Sequence, residues 1–516
     1  MTGLGGVDLG GVGLAATVGL PALGALTLAL FPARLDRAAR ITGTVFAAAT
    51  LVVGALLAVG AADHAGGWSA HRPAPVGAPG PRPWHELDLA WVPGLDLRFH
   101  LGVDGVSYPL VVLTALLTLL CCGHLLWRVP APGRGRTLVA LLLVVEVGIL
   151  GTFLALDLVL FFLFFEVVLL PTYAVIAVWG GEDRRRAARK FALYTLFGSV
   201  LLLVGVLTVT TAAGTADLVA LTGGAGLPRG TQLAAFTLLA IAFAVKSPLW
   251  PLHTWLPDAH TQAPTVGSVI LAGVLLKMGT YGLIRVAVGV APEGARRAAA
   301  VLGILAVAAI LVGSLVCLAQ TELKRLIAYS SVGHMGFVLL GIATLSATGL
   351  QAALIGNVAH GVITGLLFFL AGAVKDRAHT GDLADLGGLR ESAPRLAGLL
   401  GFAAVASLGL PGLAGFWGEA FAVVAAWQRG GPLWTTLAGL AACGGALTAA
   451  YLLRLLRRVT HGPASPAVLT LTPRLAGAEL AAWAPLVLLT LVLGLAPALV
   501  LGVTEAPVGA LLEAIR

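Results

Sequence analysis

Lysine is almost missing from this 516-residue chain. Lysine and arginine together number 32, yet only Lys190, Lys246, Lys277, Lys324 and Lys375 are lysines. Arginine cannot release its proton in a protein, whereas a buried lysine can be tuned to do so. Cysteine is scarce too. The four residues Cys121, Cys122, Cys317 and Cys443 lie in apolar runs without CxxC or any other metal-ligand spacing, which excludes an iron–sulfur or disulfide framework. Flavin and nicotinamide fingerprints are missing, so any redox chemistry must lie in another chain. Charged residues make up 11% against 58% hydrophobic, with mean hydropathy +0.96. That balance excludes a soluble protein and defines a polytopic membrane protein. The net charge of +8 therefore concerns membrane topology, not nucleic acid. The opening MTGLGGVDLGG lacks a basic n-region, so residues 11–32 read as a retained span.

What the chain does have is apolar runs. Windows of about 20 residues predict fourteen spans, near 11–32, 39–62, 104–127, 136–156, 157–180, 189–213, 231–256, 264–289, 297–320, 329–346, 349–373, 394–428, 433–456 and 480–503. The seventh and twelfth are interrupted by proline. Loop 63–103, rich in Pro, Gly and Trp, should lie on the outer surface. Basic residues concentrate in the odd-numbered loops, 21 against 8 in the even ones by position along the chain. The positive-inside rule then puts odd loops in the cytoplasm and both termini outside.

The most informative stretch is KSPLWPLHTWLPDAHTQAPTVGSVILAGVLLK, Lys246 to Lys277. Pro248 and Pro251 must break a helix, and exposed carbonyls at membrane depth survive only where protein encloses them or water fills a cavity. A lysine beside such a break marks an ion path. Snorkelling to the headgroups would account for Lys246, but Lys277 lies near mid-span. Glu166 sits in DLVLFFLFFEVVLLPTY, where an unpaired acid costs about 2.5–3.5 kcal/mol; Lys246 is its expected partner. Glu146 falls at a comparable depth before the turn near Leu156. His334 and His360 each sit in an apolar helix, a placement shared by core histidines and proton relays, and Glu419 follows the Leu410–Gly412 break. His253 and His260 flank Asp258 with proline between, which spoils a metal geometry and points to an interfacial polar cluster. No metal or cofactor site is expected.

Spans four to eight place Glu166 in their second helix and the Lys246 break in their fourth. Spans nine to thirteen place His334 and the Pro411/Glu419 break likewise. Units of five helices, an odd number, must run in opposite orientations, as in inverted-repeat transporters. This divides the chain into an N-terminal part, 1–130, two inverted units, 131–292 and 293–460, and a C-terminal span, 461–516.

FFLFFEVVLLPTYAVIAVWGG, the Lys246–Lys277 stretch, AYSSVGHMGFVLLG, HGVITGLLFFLAGAVKDRAHT and LPGLAGFWGEAF resemble the antiporter-like subunit M family of bacterial NADH–quinone oxidoreductase, the membrane arm of respiratory complex I. The resemblance runs from about residue 95 to 500. It implies an all-α polytopic fold of about fourteen helices, with two half-channels moving protons, driven by quinone reduction in other subunits. It makes Glu166 and Lys246 a coupled pair, Lys277 the central relay, His334 and His360 the bridge, and Glu419 the terminal acid; it assigns nothing to Glu146, which its depth in the membrane alone makes a further candidate proton-transfer residue. It implies quinone, flavin and iron–sulfur clusters in partner subunits, sister L and N subunits as neighbours, and a bacterial plasma membrane. Sister subunits and multisubunit sodium/proton antiporters usually carry lysine where Glu419 stands. Such an antiporter, or a membrane-bound energy-converting hydrogenase, is the alternative.

Overall fold

The computed structural model describes residues 9–59, 82–95, 97–470 and 475–516. Arg72, Arg474 and the 63–81 part of the outer loop lie outside the described residues. Helices dominate because long apolar runs must satisfy their backbone internally in lipid. Eleven described helices are long and apolar enough to cross a bilayer by length and composition. Other expected spans are shorter or broken. Tyr108–His124 is one continuous helix; Arg229–Lys246 with Trp255–Gln262, and Pro394–Ser407 with Gly415–Arg429, are the two interrupted ones. Both breaks coincide with the prolines that remove ladder donors.

Freed backbone groups at each break find specific partners. The Trp255 indole donates to Val245 O at 2.9 Å and Ser247 Oγ to Phe243 O at 2.6 Å. At the second break Ala414 N–H donates to Thr490 O at 3.0 Å, and the Trp417 indole to Gly494 O at 2.9 Å. The first break is thereby closed between its own two halves, and the second is fixed to the helix Gly477–Leu495.

Burial sorts the helices into enclosed and peripheral ones. In the best 18-residue windows, Thr265–Val288 is 100% buried, Ala347–Ala378 94% and Leu323–Ala343 89%, whereas Arg184–Ala213 is 39%. The three most enclosed helices carry Lys277, His360 and His334. Peripheral helices turn Leu170, Leu193 and Phe197 outward, a surface suited to lipid or neighbouring membrane helices.

A two-bond pattern occurs twice. Leu158 N–H donates to Ala216 O and Leu218 N–H to Leu156 O; Leu323 N–H donates to Gly381 O and Leu383 N–H to Thr321 O. Each position of the second set follows its counterpart by 165 residues (158 to 323, 216 to 381, 218 to 383, 156 to 321). Asp157 and Glu322 cap the helices that start there.

Two expectations need correction. Residues 85–103 are not loop but an antiparallel hairpin, β1 (His85–Val92) and β2 (Leu97–Val103), with a bulge between Ala90 and Val92. The alternation in HELDLAWV has the two-residue strand period, which proline and glycine nearby obscured. The last expected span, 480–503, is Gly477–Leu495, and a further helix, Ala498–Ala514, follows it. Pro497 disfavours helix in the residue before it and divides the run.

His100, in β2, ties the hairpin to the bundle. Its Nε2 lies 2.6 Å from Glu86 Oε1 and its Nδ1 3.9 Å from Asp217 Oδ1. Burial opposes charge on the ring, but the Glu86 bond and the Asp217 and Asp88 charges prevail and raise it above its ordinary 6.5. The same bond holds Glu86 below its ordinary 4.5. By linkage, the His100 contribution is complete below pH 6.5 and fades as pH climbs through the raised value, while the Glu86 contribution fades as pH falls through its lowered value. Hydrogen-exchange protection of the Leu156 amide, which bonds His100 O at 2.9 Å, should therefore decline above pH 6.5 after correction for intrinsic rates. A His100→Gln variant should lose that dependence; an identical decline in the variant would refute the assignment.

Candidate functional site: buried bases and acids across the bundle

Lys246 closes the helix Arg229–Lys246 and is 2% exposed. Its Nζ lies 4.6 Å from the centre of the Phe165 ring and bonds no described protein group. The expected contact with Glu166 is absent: Glu166 Oε1 accepts a short bond from Ser199 Oγ instead. The two charges stay within electrostatic reach. A desolvated cation over an aromatic face gains about 2 kcal/mol, so Phe165 can hold the ammonium while the pair is open. Ser199 escaped the sequence reading because serine in an apolar helix carries no distinguishing pattern. Gly279 lets this break approach the next span: a Cβ there would meet Ser247 N at 2.7 Å and Phe243 O at 2.8 Å.

Lys277 is fully buried two residues after a π-helical stretch, Leu271–Leu275. Such a stretch shifts the ladder by one residue, and the Ala272 carbonyl accepts from Lys277 Nζ at 2.5 Å. On its other side Nζ lies 2.6 Å from His360 Nδ1. The His360 and His334 rings are 5.8 Å apart, edge to face. His334 Nδ1 is 2.6 Å from Glu419 Oε1, and its Nε2 is 2.9 Å from Ser407 Oγ. Lys277, His360, His334 and Glu419 thus form one line. Glu419 reaches it because Gly409 turns left-handed, with φ +72°, directly under the carboxylate.

A cavity of about 30 Å³, lined by His334, His360, Ser407, Gly418 and Glu419 among others, lies along this line. One water needs roughly 10–15 Å³, so the gap between the two histidines has room for water. Below Lys277, Thr280 Oγ1 donates to Asn357 Oδ1 at 2.9 Å, a buried cross-helix rung that the sequence did not reveal.

Glu146 is fully buried, and neither of its oxygens meets a described protein donor; it does not join the line. The interfacial cluster around Asp258 holds only in part. Asp258 pairs with Lys190 at 2.7 Å and Arg325 at 3.7 Å, but His260 is fully buried, stacked on Phe368, and His253 packs against Tyr329. Helix Trp255–Gln262 turns His260 inward and Asp258 outward. Lys324 is buried as well, which its place at a basic loop had concealed. Glu86, Asp88 and His100 come close enough for a metal, yet Arg98 already takes both Asp88 oxygens.

Two broken helices beside a row of lysine, two histidines and a glutamate inside the bundle define an antiporter-like, proton-conducting membrane protein. Comparison gives the class its family. Residues 155–447 match the family described as NADH:quinone oxidoreductase/Mrp antiporter, transmembrane. NADH-quinone oxidoreductase subunit M of Rhodobacter capsulatus is 43% identical over 425 residues, 80% of this chain and 81% of that one. The Rickettsia felis subunit M is 41% identical over 82% of this chain and 85% of its own. A chain of respiratory complex I from Thermus thermophilus superimposes with TM-score 0.82 at 31% identity, covering 97% of this chain and 99% of that chain. A chain of the Mrp complex from Dietzia shares the fold, with TM-score 0.82 at 23% identity over 98% and 99%. The chain belongs to the NADH:quinone oxidoreductase/Mrp antiporter family, as an antiporter-like subunit M of the complex I kind.

Proposed function

We propose that this chain is a proton-translocating subunit of an NADH–quinone oxidoreductase, moving protons through two linked half-channels while other subunits reduce quinone. The observation that carries the reading is the row Lys277–His360–His334–Glu419, direct contacts at either end and a water-sized gap between the two histidine rings. Bond directions give it a sense. Lys277 can only donate, so His360 Nδ1 accepts and its Nε2 bears the hydrogen. Glu419 as a carboxylate accepts from His334 Nδ1–H, and Ser407 then donates to His334 Nε2. A proton passed from Lys277 to His360 Nδ1 releases the Nε2 proton into the cavity that Glu419 lines. Moving one charge against the membrane potential needs about 2.3 kcal/mol per 100 mV, within reach of a few rearranged buried bonds.

The half-channels are residues 131–292 and 293–460, inverted relative to each other; the two bonds repeated after 165 residues and one broken helix per unit support this division. Flavin, iron–sulfur clusters and quinone belong to partner subunits, and L- and N-type sisters flank the chain in a bacterial plasma membrane, with both termini outside. The basic loops support that orientation.

The direct test is Lys277→Met in the assembled complex. Methionine keeps the volume but carries no proton, so protons moved per electron should fall while native-gel assembly persists. A wild-type ratio would overturn the reading.

A further inference from the structure

We propose that the hairpin end of the bundle holds a divalent transition-metal site, suited to zinc, between His100 Nδ1 and the Asp217 carboxylate. The site stands apart from the row that ends at Glu419 and does not depend on how that row works.

His100 is 2% exposed, and its two nitrogens differ. Nε2 lies 2.6 Å from Glu86 Oε1, whereas Nδ1 is enclosed and bonds no described protein group. Asp217 Oδ1 stands 3.9 Å from Nδ1, too far for a hydrogen bond. A zinc–nitrogen and a zinc–oxygen bond together span at most about 4.3 Å, so one ion fits between the two atoms as they stand. Closing them to a tetrahedral angle takes a shift of about half an ångström. The Asp217 side chain is 30% exposed and can make that shift. Its exposure also gives the ion a way in and lets water complete the coordination.

Glu86 does for His100 what a carboxylate does behind many metal-bound histidines. It takes the Nε2 hydrogen and so fixes the tautomer that leaves the Nδ1 lone pair free. The grouping of Glu86, Asp88 and His100 uses the other edge of the ring, where Arg98 already holds Asp88. An imidazole beside a carboxylate suits zinc, while magnesium and calcium prefer oxygen ligands alone. The surroundings favour a cation as well: Asp217, Glu86 and Asp88 all act on the ring, and Asp157 feels it.

The internal repeat supplies an independent argument. Asp157 and Asp217 are joined by an isolated backbone bridge, and so are Glu322 and Asp382, each 165 residues later (157 to 322, 217 to 382). In the second copy Lys375 brings its ammonium to 3.7 Å from Glu322. The first copy receives His100 from β2, whose carbonyl accepts from Leu156 N–H at 2.9 Å. A lone pair thus faces the paired acids where the second copy has a built-in cation. A bound ion would tie β2 to the Asp217 segment and brace the bonds between Leu156, Leu158 and Leu218.

The test uses the purified membrane complex that carries this chain, stripped with a chelator and titrated with zinc or with magnesium. Bound metal is counted by atomic emission, and exchange of the Leu156 amide is followed alongside. Asp217→Asn should keep the fold, because asparagine caps a helix start as well as aspartate does. His100→Gln should bind one zinc fewer per complex than wild type, and Asp217→Asn should bind that zinc at least tenfold more weakly. Glu86→Gln should weaken it about tenfold. Zinc, and not magnesium, should slow Leu156 exchange in wild type and leave His100→Gln unchanged. Equal zinc content and equal exchange in wild type, His100→Gln and Asp217→Asn would overturn the site. Loss of zinc in Asp88→Asn with Asp217→Asn unaffected would put the ion at the Nε2 edge and overturn it equally. Where His100→Gln does not assemble on native gels, Asp217→Asn decides alone: wild-type zinc affinity there refutes the proposal.

Discussion

A Lys246→Arg complex should assemble normally and reduce quinone, yet lose nearly all translocation through this subunit. Arginine keeps the positive charge and stacks on aromatic faces at least as well as lysine, so the seat over Phe165 remains filled. What it cannot do is give up the proton. Because Glu166 is held by Ser199 and not by Lys246, folding does not depend on a closed ion pair, and Lys246→Ala should give up the seat over Phe165, about 2 kcal/mol, while the complex still assembles. Protons per electron, measured in vesicles at matched assembly, should drop about tenfold or more for both variants. Arginine pumping at the wild-type ratio would mean that only the charge at this position matters and that Lys246 is no carrier. The open contact is informative here. A lysine permanently locked to its carboxylate would have little occasion to release a proton, whereas one shared between an aromatic face and a nearby acid can alternate.

Glu419→Gln should be as damaging, for a different reason. The amide is nearly isosteric, its oxygen can still accept from His334 Nδ1–H, and a neutral group is no harder to bury than a carboxylate. The fold and the 2.6 Å contact should therefore survive while the proton-accepting oxygen is gone. Glu419→Asp keeps the chemistry one methylene shorter, and the cavity beside it can hold water across that distance, so partial pumping is expected. Glu419→Lys should retain some function, because it places an exchangeable proton at the same point. The decisive comparison is Gln against Asp at equal assembly. If the two pump alike, Glu419 carries no proton and the row must end at His334 or His360.

Much of this protein was legible before any fold was known. Apolar length marked the spans, since a bilayer core demands about 20 helical residues. Proline marked both breaks, because losing a ladder donor is a property of the residue itself. The scarcity of lysine singled out Lys246 and Lys277, and the buried acids and histidines stood out against apolar neighbours. All of these are local signals, readable within a few residues of where they act.

Contacts between spans were another matter. Lys277 meets His360 across 83 residues and His334 meets Glu419 across 85. Glu166 turns to Ser199 and away from Lys246, and His260 faces Phe368 in the interior while Asp258, two residues earlier, faces the surface. Each residue along a helix turns the side chain by about 100°, so a small rotation of one span exchanges its partners completely. That rotation is set by close approaches such as Gly279 against Ser247 and by π-helical turns that shift the ladder around Lys277. Composition and proline placement determined which residues lie in the membrane and where its helices break. Only the packing of distant helices decided which of those residues touch, because a helix's rotation about its own axis is fixed by its neighbours and not by its own sequence.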